Sequence, residues 1–420
     1  MGKEAFMTST LNNKQIVLQH CRPEAETIFS VAEYADRLSR VRAAMRAAGV
    51  DMLYLSSPEA IAYLSGFRAE WYQAQGPKAW LPASGLAVHV DHDDYIHFET
   101  ENEQVLAGFT SISRDLRILG EGSQPMASMM DFIVDELASE GWLSGSVGLE
   151  MWSYRPSRGY SEMFQSALQA KGARVVDGTD VVAGVRKLKS PQELSYTKTA
   201  ARIGDIGMQA AIDAIQPGVT ELEVYGEVVR AMARAGGENP SITMPVSSGP
   251  KSACMHALAS RRVIMPGDVV NVDLCGVYNR YHSNMARTIC VGDVHDDVAS
   301  HLDAICGAKK IVAELIRPRL PVVELLSAIE AYYRDQGVWD DQCWIGGYDL
   351  GQSFPPDWVG PYYYDVHTDP GDERFEPGMV TNYEANFYLP HAAGMSMFID
   401  TMIFTDAGAE FIQQTPARLS

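Results

Sequence analysis

Three residues in the second half of the chain combine types that can hold a cation and move a proton. Asp273 lies in VVNVDLCG, Glu384 lies in GMVTNYEANFY, and His256 ends the Gly/Pro/Ser-containing segment SSGPKSACMH. A neutral imidazole can accept a proton from water near pH 7 and deliver one to a leaving nitrogen. Carboxylates can hold an amidinium or guanidinium by charge-assisted hydrogen bonds. We therefore predict His256, Glu384 and Asp273 as the catalytic residues.

The residues around Asp273 have the pattern of a β-hairpin. Apolar and polar residues alternate in VVNVDLCG, and a second run, YHSNMARTICV, follows a turn near Asn279. This alternation is typical of half-buried strands. If Tyr278 pairs with Tyr281, one face of the hairpin carries Asp273, Cys275, His282 and Asn284. Such a face is too polar for a dry core and indicates a pocket.

The strand predicted around Glu384 has the same kind of alternation. Asn382, Glu384 and Asn386 alternate with Tyr383, Ala385 and Phe387. We expect the aromatic face to pack inward and Glu384 to join the face that lines the pocket.

The order of these motifs resembles the pita-bread hydrolases. SGPxxxxxH, GDVVxVD and YxxxxxRT follow one another here as they do in that family, which includes Xaa-Pro peptidases, prolidase, creatinase and ectoine hydrolase. The resemblance extends from about Phe29 to the end of the chain. It implies an α+β fold with two domains, an amino-terminal three-layer α/β domain and a carboxy-terminal pita-bread domain.

The metal-dependent members of this family bind two metal ions through two Asp, one His and two Glu. The matching positions in this chain are Asp273, Asn284, Tyr348, Glu384 and Ile399. Only Asp273 and Glu384 keep a strong metal ligand, because an amide oxygen is a weak donor, a phenol titrates near 10, and isoleucine donates nothing. The resemblance therefore predicts an enzyme with no metal and no other cofactor.

Two metal-free branches of the family are matched by local motifs. GYDLGQSFPPDWVG and NRYHSNMART resemble segments of ectoine hydrolase, whereas FSVAEYADRLSRVRAAMRAAGVD and KSPQELSYTKTAARIGDIG resemble segments of creatinase. His256 matches the histidine that creatinase uses as its acid and base. The implied activity is metal-independent hydrolysis of a C–N bond in a small zwitterionic amidine, guanidino or amide compound.

Further residues are predicted to bind the substrate: His282, Asn284, Tyr348, Trp358, Arg287 and Trp80. Five of these six residues have a structural alternative. His282 and Tyr348 could be hydrogen-bonded wall residues, Trp358 could shape its loop, and Arg287 could be a fixed partner of Asp273 or Glu384. Trp80 lies in a loop that resembles the creatinase segment reaching the partner subunit's active site, or it packs at a dimer contact.

Two other functions stay open at this point. One is a metal-dependent Xaa-Pro peptidase or lyase with a reduced site built from Asp273, Glu384 and Asp400. The other is a non-catalytic binding member of the fold. His367 could be a second pocket histidine under a shifted alignment, since the 355–377 loop is too irregular to place from sequence.

Composition limits the classes of partner. The 420 residues carry a net charge of −20, with a pI near 4.9, which argues against binding nucleic acid or an anionic membrane. The six cysteines form no CxxC motif, and no apolar stretch suits a membrane span or a secretory signal. We expect a cytoplasmic protein with reduced thiols and, by resemblance, a homodimer in which the amino-terminal domain lies near the partner's active site.

The predicted organisation has three parts: an arm (1–28), an amino-terminal domain (29–187) and the catalytic domain (188–420). Helical periodicity from Val31 to Ala48 ends at Gly49. β/α alternation then continues to about Lys187. Ser190 and Thr220 are predicted to cap two following helices.

Overall fold

The computed structural model describes residues 12–20, 25–68, 84–119 and 126–419. The chain divides into two compact units, 1–185 and 186–420. No helix in the described ranges combines the length and the apolar composition needed to cross a membrane.

The amino-terminal unit is built on one mixed sheet. Its helices are α1 (Asn13–His20), α2 (Val31–Ala48), α3 (Pro58–Ser65), α4 (Gln104–Thr110), α5 (Met126–Ser139), α6 (Arg158–Ala170) and α7 (Thr179–Arg186). Its strands are β1 (Met52–Leu55), β2 (Gly85–His89), β3 (Tyr95–Thr100), β4 (Asp115–Leu119), β5 (Ser146–Leu149) and β6 (Arg174–Asp177). The strand order is β4-β3-β2-β1-β5-β6.

This sheet is covered on both faces. Leu53 and Leu55 pack with α2, α3 and α7, whereas Met52 and Tyr54 pack with α5 and α6. Successive side chains of a strand point to opposite faces, so one apolar strand can serve two cores. The three-layer arrangement predicted from β/α alternation is confirmed. α1, α3, α4, β4 and α7 were not predicted, because such short segments have too few residues to establish a period.

Local sequence rules fix the helix ends. The Ser30 side chain accepts a hydrogen bond from the Glu33 backbone at the start of α2, and Gly49 ends that helix with a left-handed φ of 65°. These are the bounds that the sequence predicts.

Over residues 186–419, the carboxy-terminal unit has four α-helices and ten strands. The helices are α8 (Pro191–Ala214), α9 (Glu221–Arg234), α10 (Asp296–Leu315) and α11 (Val322–Asp335). The strands are β7 (Val246–Ser248), β8 (Val269–Tyr278), β9 (Tyr281–Cys290), β10 (Leu320–Pro321), β11 (Gln342–Tyr348), β12 (Tyr363–Asp365), β13 (Arg374–Phe375), β14 (Val380–Leu389), β15 (Gly394–Thr405) and β16 (Gly408–Phe411).

Eight of these strands form one antiparallel sheet. Its order is β12-β11-β14-β15-β9-β8-β7, with β16 paired to β15, and β10 and β13 form a separate pair. Val270, Val272 and Leu274 pack with apolar residues of α8 and α9, whereas Tyr383, Ala385 and Phe387 pack with those of α10 and α11. The four helices therefore cover one face of the sheet, and the opposite face carries the polar residues of the predicted pocket.

The α8 helix approaches β8 closely. Ser190 and Glu193 form a reciprocal capping box at its start, and Thr220 and Glu223 do the same for α9. A Cβ atom at Gly276 of β8 would overlap the carbonyl oxygen of Ala200 in α8, so only glycine allows this approach. The two-domain α+β fold is as the sequence predicts.

Candidate functional site

The two predicted catalytic carboxylates lie on the same face of the large sheet. Asp273 pairs with Ala286, Ala286 with Ile399, and Ile399 with Glu384. Directly paired residues of antiparallel strands project to the same side. The predicted hairpin register, with Cys275 opposite Asn284, is also observed. The sheet therefore places Asp273 and Glu384 in one row with two apolar residues between them.

Asn284 fixes the orientation of Asp273. Its Nδ2 donates to Asp273 Oδ1 at 2.8 Å and to the Leu274 carbonyl oxygen at 3.1 Å. Its Oδ1 accepts from Tyr348 Oη and from Asn382 Nδ2, each at 3.0 Å. Because both ends of the amide are bonded, its orientation is determined by the network. Asn284 therefore presents a donor, and not an acceptor, to Asp273.

Glu384 has a comparable amide partner. Asn386, two residues further along β14, donates from Nδ2 to Glu384 Oε1 at 2.7 Å. The Met255 sulfur lies 2.9 Å from the same nitrogen, and Met255 packs against Ala286 and Ile399. The buried Oδ1 of Asn386 has no hydrogen-bond partner within the described chain. The site thus offers one unused neutral acceptor beside two carboxylates.

Burial disfavours the charged form of both acids. Desolvation raises the pKa of Asp273 to about 7, and the Asn284 hydrogen bond offsets only part of this rise. Desolvation and the nearby charge of Asp273 raise the pKa of Glu384 to about 8. In the described ranges, no lysine or arginine side chain forms an ion pair with either acid. When ionised, the two acids therefore have no cationic side chain of the described ranges to balance their charge.

Tyr348 and Trp358 belong to the same hydrogen-bond network. Trp358 Nε1 donates to Tyr348 Oη at 3.2 Å, and Tyr348 donates onward to Asn284. Trp358 is buried, with 2% of its surface exposed. Both residues support Asn284, and through it they hold Asp273 in place.

His282 is held as a neutral wall residue. Its Nδ1 lies 2.8 Å from the Arg280 carbonyl oxygen, and its Nε2 accepts from the Ser241 backbone nitrogen at 3.1 Å. Burial, with the nearby Arg280 charge, lowers its pKa to about 3. These contacts are those of the hydrogen-bonded wall residue that the sequence left as the alternative to substrate binding.

His256 lies at the turn that follows the 3-10 helix Gly249–Ala253, and it is exposed. Its neighbour Met255 makes the contacts with Asn386 and the apolar residues of the row. Among the described residues, His256 has no hydrogen-bond partner. Its catalytic role stays a prediction, and the structure adds that its turn is anchored to the site through Met255.

The prediction that Arg287 binds the substrate is wrong. This fully buried residue lies on the opposite face of β9, next to Ala286 in sequence, and donates from Nη2 to Asp400 Oδ1 at 2.7 Å. Its other donors bond carbonyl oxygens of Pro416, Thr415, Ile399 and Ala286. Arg287 is therefore neither a ligand for a substrate carboxylate nor a partner of Asp273 or Glu384.

The same contacts contradict the alternative metal site built from Asp273, Glu384 and Asp400. Asp400 is held on the helix-covered face by Arg287 and by Lys309, whose Nζ lies 2.5 Å from Asp400 Oδ2. Strand alternation places Asp400 on the face opposite Ile399. Asp400 cannot complete a metal site with Asp273 and Glu384.

The contacts of the site do not test the predictions for Trp80 and His367. Trp80 is outside the described residues. His367 is exposed and follows β12, where its backbone nitrogen donates to Asp365 Oδ1 at 2.8 Å. Its role in the site stays a prediction.

Sequence reasoning did not assign roles to Asn382, Asn386 and Met255. The first two share the polar side of β14 with Glu384, so alternation alone could have found them. Met255 gave no sequence indication, because an isolated methionine beside a histidine has no distinctive pattern.

The fold and this site define a pita-bread hydrolase with an altered ligand set. Residues 195–406 match the model of metallopeptidase family M24, and residues 37–188 match the creatinase/prolidase N-terminal domain. The chain belongs to family M24 and is therefore classed as a hydrolase.

Its relatives have different activities. It is 26% identical to ectoine hydrolase of Halomonas elongata, covering 93% of this chain and 98% of that protein. It is 26% identical to Xaa-Pro dipeptidase of Pyrococcus furiosus (91% and 99% covered) and 24% identical to creatinase of a Bacillus species (95% of each). The Xaa-Pro dipeptidase structure from Bacillus anthracis superposes with a TM-score of 0.75 at 23% identity, over 92% of this chain and 99% of that one.

The residues present do not fit the two-metal centre of this family. Of the five matching positions, only Asp273 and Glu384 offer carboxylates, and Asn284 turns N–H donors toward Asp273. Two closely spaced dications need bridging carboxylates and correctly oriented lone pairs. This donor set has two carboxylates for five ligand positions, and the amide beside Asp273 presents N–H groups instead of lone pairs.

Proposed function

We propose that this chain is a metal-independent hydrolase that cleaves a C–N bond in a small zwitterionic amidine, guanidino or amide compound. The observation that carries the proposal is the buried pair Asp273 and Glu384, which has no cationic partner among the described side chains. Two carboxylates in a low-dielectric site repel each other unless a positive charge lies between them. A cationic substrate nitrogen supplies that charge.

The uncharged part of the site supports the same substrate class. Ala286, Ile399, Met397 and Met255 form a small apolar cluster beside the acids. The free Oδ1 of Asn386 adds an acceptor for a substrate N–H group. A compact molecule with a cationic nitrogen and a short hydrocarbon frame matches this combination. Ectoine hydrolase and creatinase, which are among the relatives, are named for substrates of this kind.

The proposed reaction uses water as the nucleophile. Glu384 and Asp273 hold the cationic nitrogen and keep the central carbon electrophilic. His256 removes a proton from water while the water oxygen bonds to that carbon. The C–N bond then breaks, and the same proton passes from His256 to the departing nitrogen. His256 is exposed, and its neighbour Met255 contacts Asn386, which places the turn of His256 beside the site.

The test starts from a thermal-shift screen with zwitterions such as ectoine, creatine and proline dipeptides, followed by activity assays of the hits. We expect His256→Ala to lower kcat by about 10²–10⁴-fold with little change in substrate binding, as for loss of a general acid and base. His92→Ala, which removes an exposed imidazole of the amino-terminal unit, is the comparison variant. Chelators should leave activity intact. Activity that is lost on chelation and restored by manganese or cobalt would refute the proposal.

The competing function is a metal-dependent Xaa-Pro peptidase or lyase. It is favoured by the similarity to the Pyrococcus furiosus dipeptidase. It would require metal at Asp273 and Glu384, so elemental analysis of the wild-type protein beside the Asp273→Asn, Glu384→Gln double variant separates the two functions. A protein that binds a zwitterion but never turns it over would instead be a non-catalytic member of the fold.

A further inference from the structure

A second group of ligand-bearing side chains lies on the surface of the carboxy-terminal unit. His295, Asp297 and His391 each offer one ligand atom, and the three atoms lie within 4.8 Å of one another. His295 and Asp297 are at the start of α10, whereas His391 is in the 3-10 turn Pro390–Ala392 that joins β14 to β15. Only the tertiary fold brings His391 to His295 and Asp297.

The distances within the group are short. His391 Nε2 lies 2.7 Å from Asp297 Oδ2, and His295 Nδ1 lies 3.4 Å from the same oxygen. The two imidazole rings face each other with their centroids 3.8 Å apart. In a tetrahedral zinc site with bonds near 2.0–2.1 Å, neighbouring ligand atoms are about 3.3 Å apart. Small side-chain rotations would therefore bring the three atoms into ligand positions.

The tautomer of His295 suits metal binding. His295 is the N-cap of α10, and its Nδ1 accepts a hydrogen bond from the Asp297 backbone nitrogen at 3.1 Å. A nitrogen that accepts an N–H bond carries a lone pair and no proton. The Asp297 N–H uses this lone pair, so an ion would bind Nδ1 in place of that hydrogen bond, 3.4 Å from Asp297 Oδ2.

The backbone of His391 is held in an uncommon conformation. Its φ is 57° and that of Ala392 is 55°, both in the left-handed region. For residues other than glycine this region costs about 1–2 kcal/mol. Both residues belong to the tight turn between the paired strands β14 and β15, and from this turn the imidazole reaches Asp297.

We propose that His295, Asp297 and His391 bind one divalent transition-metal ion, with zinc as the best match. Two imidazole nitrogens and one carboxylate oxygen suit zinc, which is often held by three protein ligands and a water. Magnesium and calcium prefer sets made of oxygen ligands. All three side chains are about half exposed, so an ion can enter directly from solvent.

This site is separate from the sheet carboxylates. Glu384 lies in the middle of β14 and His391 lies in the turn after it, and the five steps from Glu384 to Leu389 span about 17 Å at the usual strand rise. The bound ion would join the start of α10 to the β14–β15 turn. It would stabilise the folded chain without taking part in the proposed hydrolysis.

The test uses the full-length protein after dialysis against a chelator. Zinc is titrated in by isothermal calorimetry, and cobalt is added separately so that visible absorption reports its coordination. We expect one ion per chain, and a rise in Tm on zinc addition. His391→Ala and His295→Ala should each weaken binding at least 10-fold and remove the rise in Tm. His367→Ala, which removes an exposed histidine outside the cluster, should bind zinc as the wild type does.

Two outcomes would overturn the inference. One is wild-type protein that binds no zinc at micromolar concentration, or a His391→Ala protein with unchanged affinity. The other is loss of the ion in the Asp273→Asn, Glu384→Gln double variant, which would place the metal between the sheet strands. The second outcome would also remove the basis of the metal-free hydrolase, whereas the first would leave that proposal intact.

Discussion

Asp273 and Glu384 owe their properties to their surroundings more than to their residue types. Each has one amide partner, each is nearly inaccessible to water, and each is influenced by desolvation more than by any hydrogen bond. Such acids lose their protons near or above pH 7 instead of near pH 4. The charge of these two side chains therefore changes with pH near neutrality.

The first prediction concerns the pH dependence of kcat/KM for a cationic substrate. Below about pH 7 both acids are protonated in the free protein and attract no cation. We expect kcat/KM to rise as the pH increases from 6 to 9, because the carboxylates ionise in this window. The measurement is a pH–rate profile with a substrate whose nitrogen stays protonated throughout. A profile that is flat across this range would contradict the raised pKa values.

The second prediction concerns stability. The pKa of Asp273 is about 7 in the folded chain and 3.8 when solvated, so the folded state holds this proton more tightly. The resulting stability is complete below pH 3.8 and is lost as the pH rises towards 7. Asp273→Asn should therefore be more stable than the wild type at pH 8, by about 1–3 kcal/mol, with a smaller difference at pH 5. Urea unfolding at both pH values checks this.

Exposed Asp372 provides the control for that comparison. Asp372→Asn should change the free energy of unfolding equally at pH 5 and pH 8. If Asp273→Asn behaves in the same way, the burial of Asp273 does not affect its ionisation.

At the scale of elements, the large sheet has one polar face and one face that packs against helices. One face of β8, β9, β14 and β15 carries the amide and carboxylate network, whereas the other packs against α8 to α11. Close helix packing and a buried ion pair hold the second face. The geometry of the site therefore depends on contacts behind the sheet.

Gly276 provides a test of the helix contact. An alanine there would overlap the Ala200 carbonyl oxygen, so Gly276→Ala should force α8 away from β8 and cost about 1–3 kcal/mol or more. Gly226, inside α9, has open space around it. Gly226→Ala should instead stabilise the protein by about 0.5–1 kcal/mol. Thermal or denaturant unfolding of both variants measures the difference, and equal effects would contradict the close approach.

Arg287 provides a test of the buried ion pair. Arg287→Met leaves Asp400 with only Lys309 as a charged partner, and breaking a buried pair of this kind costs about 3–5 kcal/mol. Arg317 pairs with Glu324 at the surface, so Arg317→Met should cost less than about 1 kcal/mol. Similar losses in the two variants would show that the Arg287 network contributes little.

At the scale of the whole molecule, acidity determines which partners can approach. The net charge of −20 repels polyanions at neutral pH. We expect the protein to pass through a heparin column at pH 7.5 and 150 mM salt, and to reach its lowest solubility near its pI of about 4.9. Retention on heparin would reveal a basic surface patch that the overall charge conceals.

The sequence by itself determined the two-domain fold, the helix caps at Ser190 and Thr220, the hairpin register and the shared face of Asp273 and Asn284. These features depend on neighbours a few residues apart, since alternation and capping are local rules. It also indicated that the usual metal ligands are missing, because residue identity alone excludes an isoleucine or an amide as an equivalent ligand.

Only the tertiary structure decided which distant residues meet. Arg287 and Asp400 pair behind the sheet, Tyr348 and Trp358 support Asn284, and His391 reaches Asp297 from a turn nearly a hundred residues away. Strand alternation tells which side a residue takes, but it does not tell which helix or turn covers that side. Partner choice and burial, and with them the raised pKa values, follow from packing between segments that local rules do not connect.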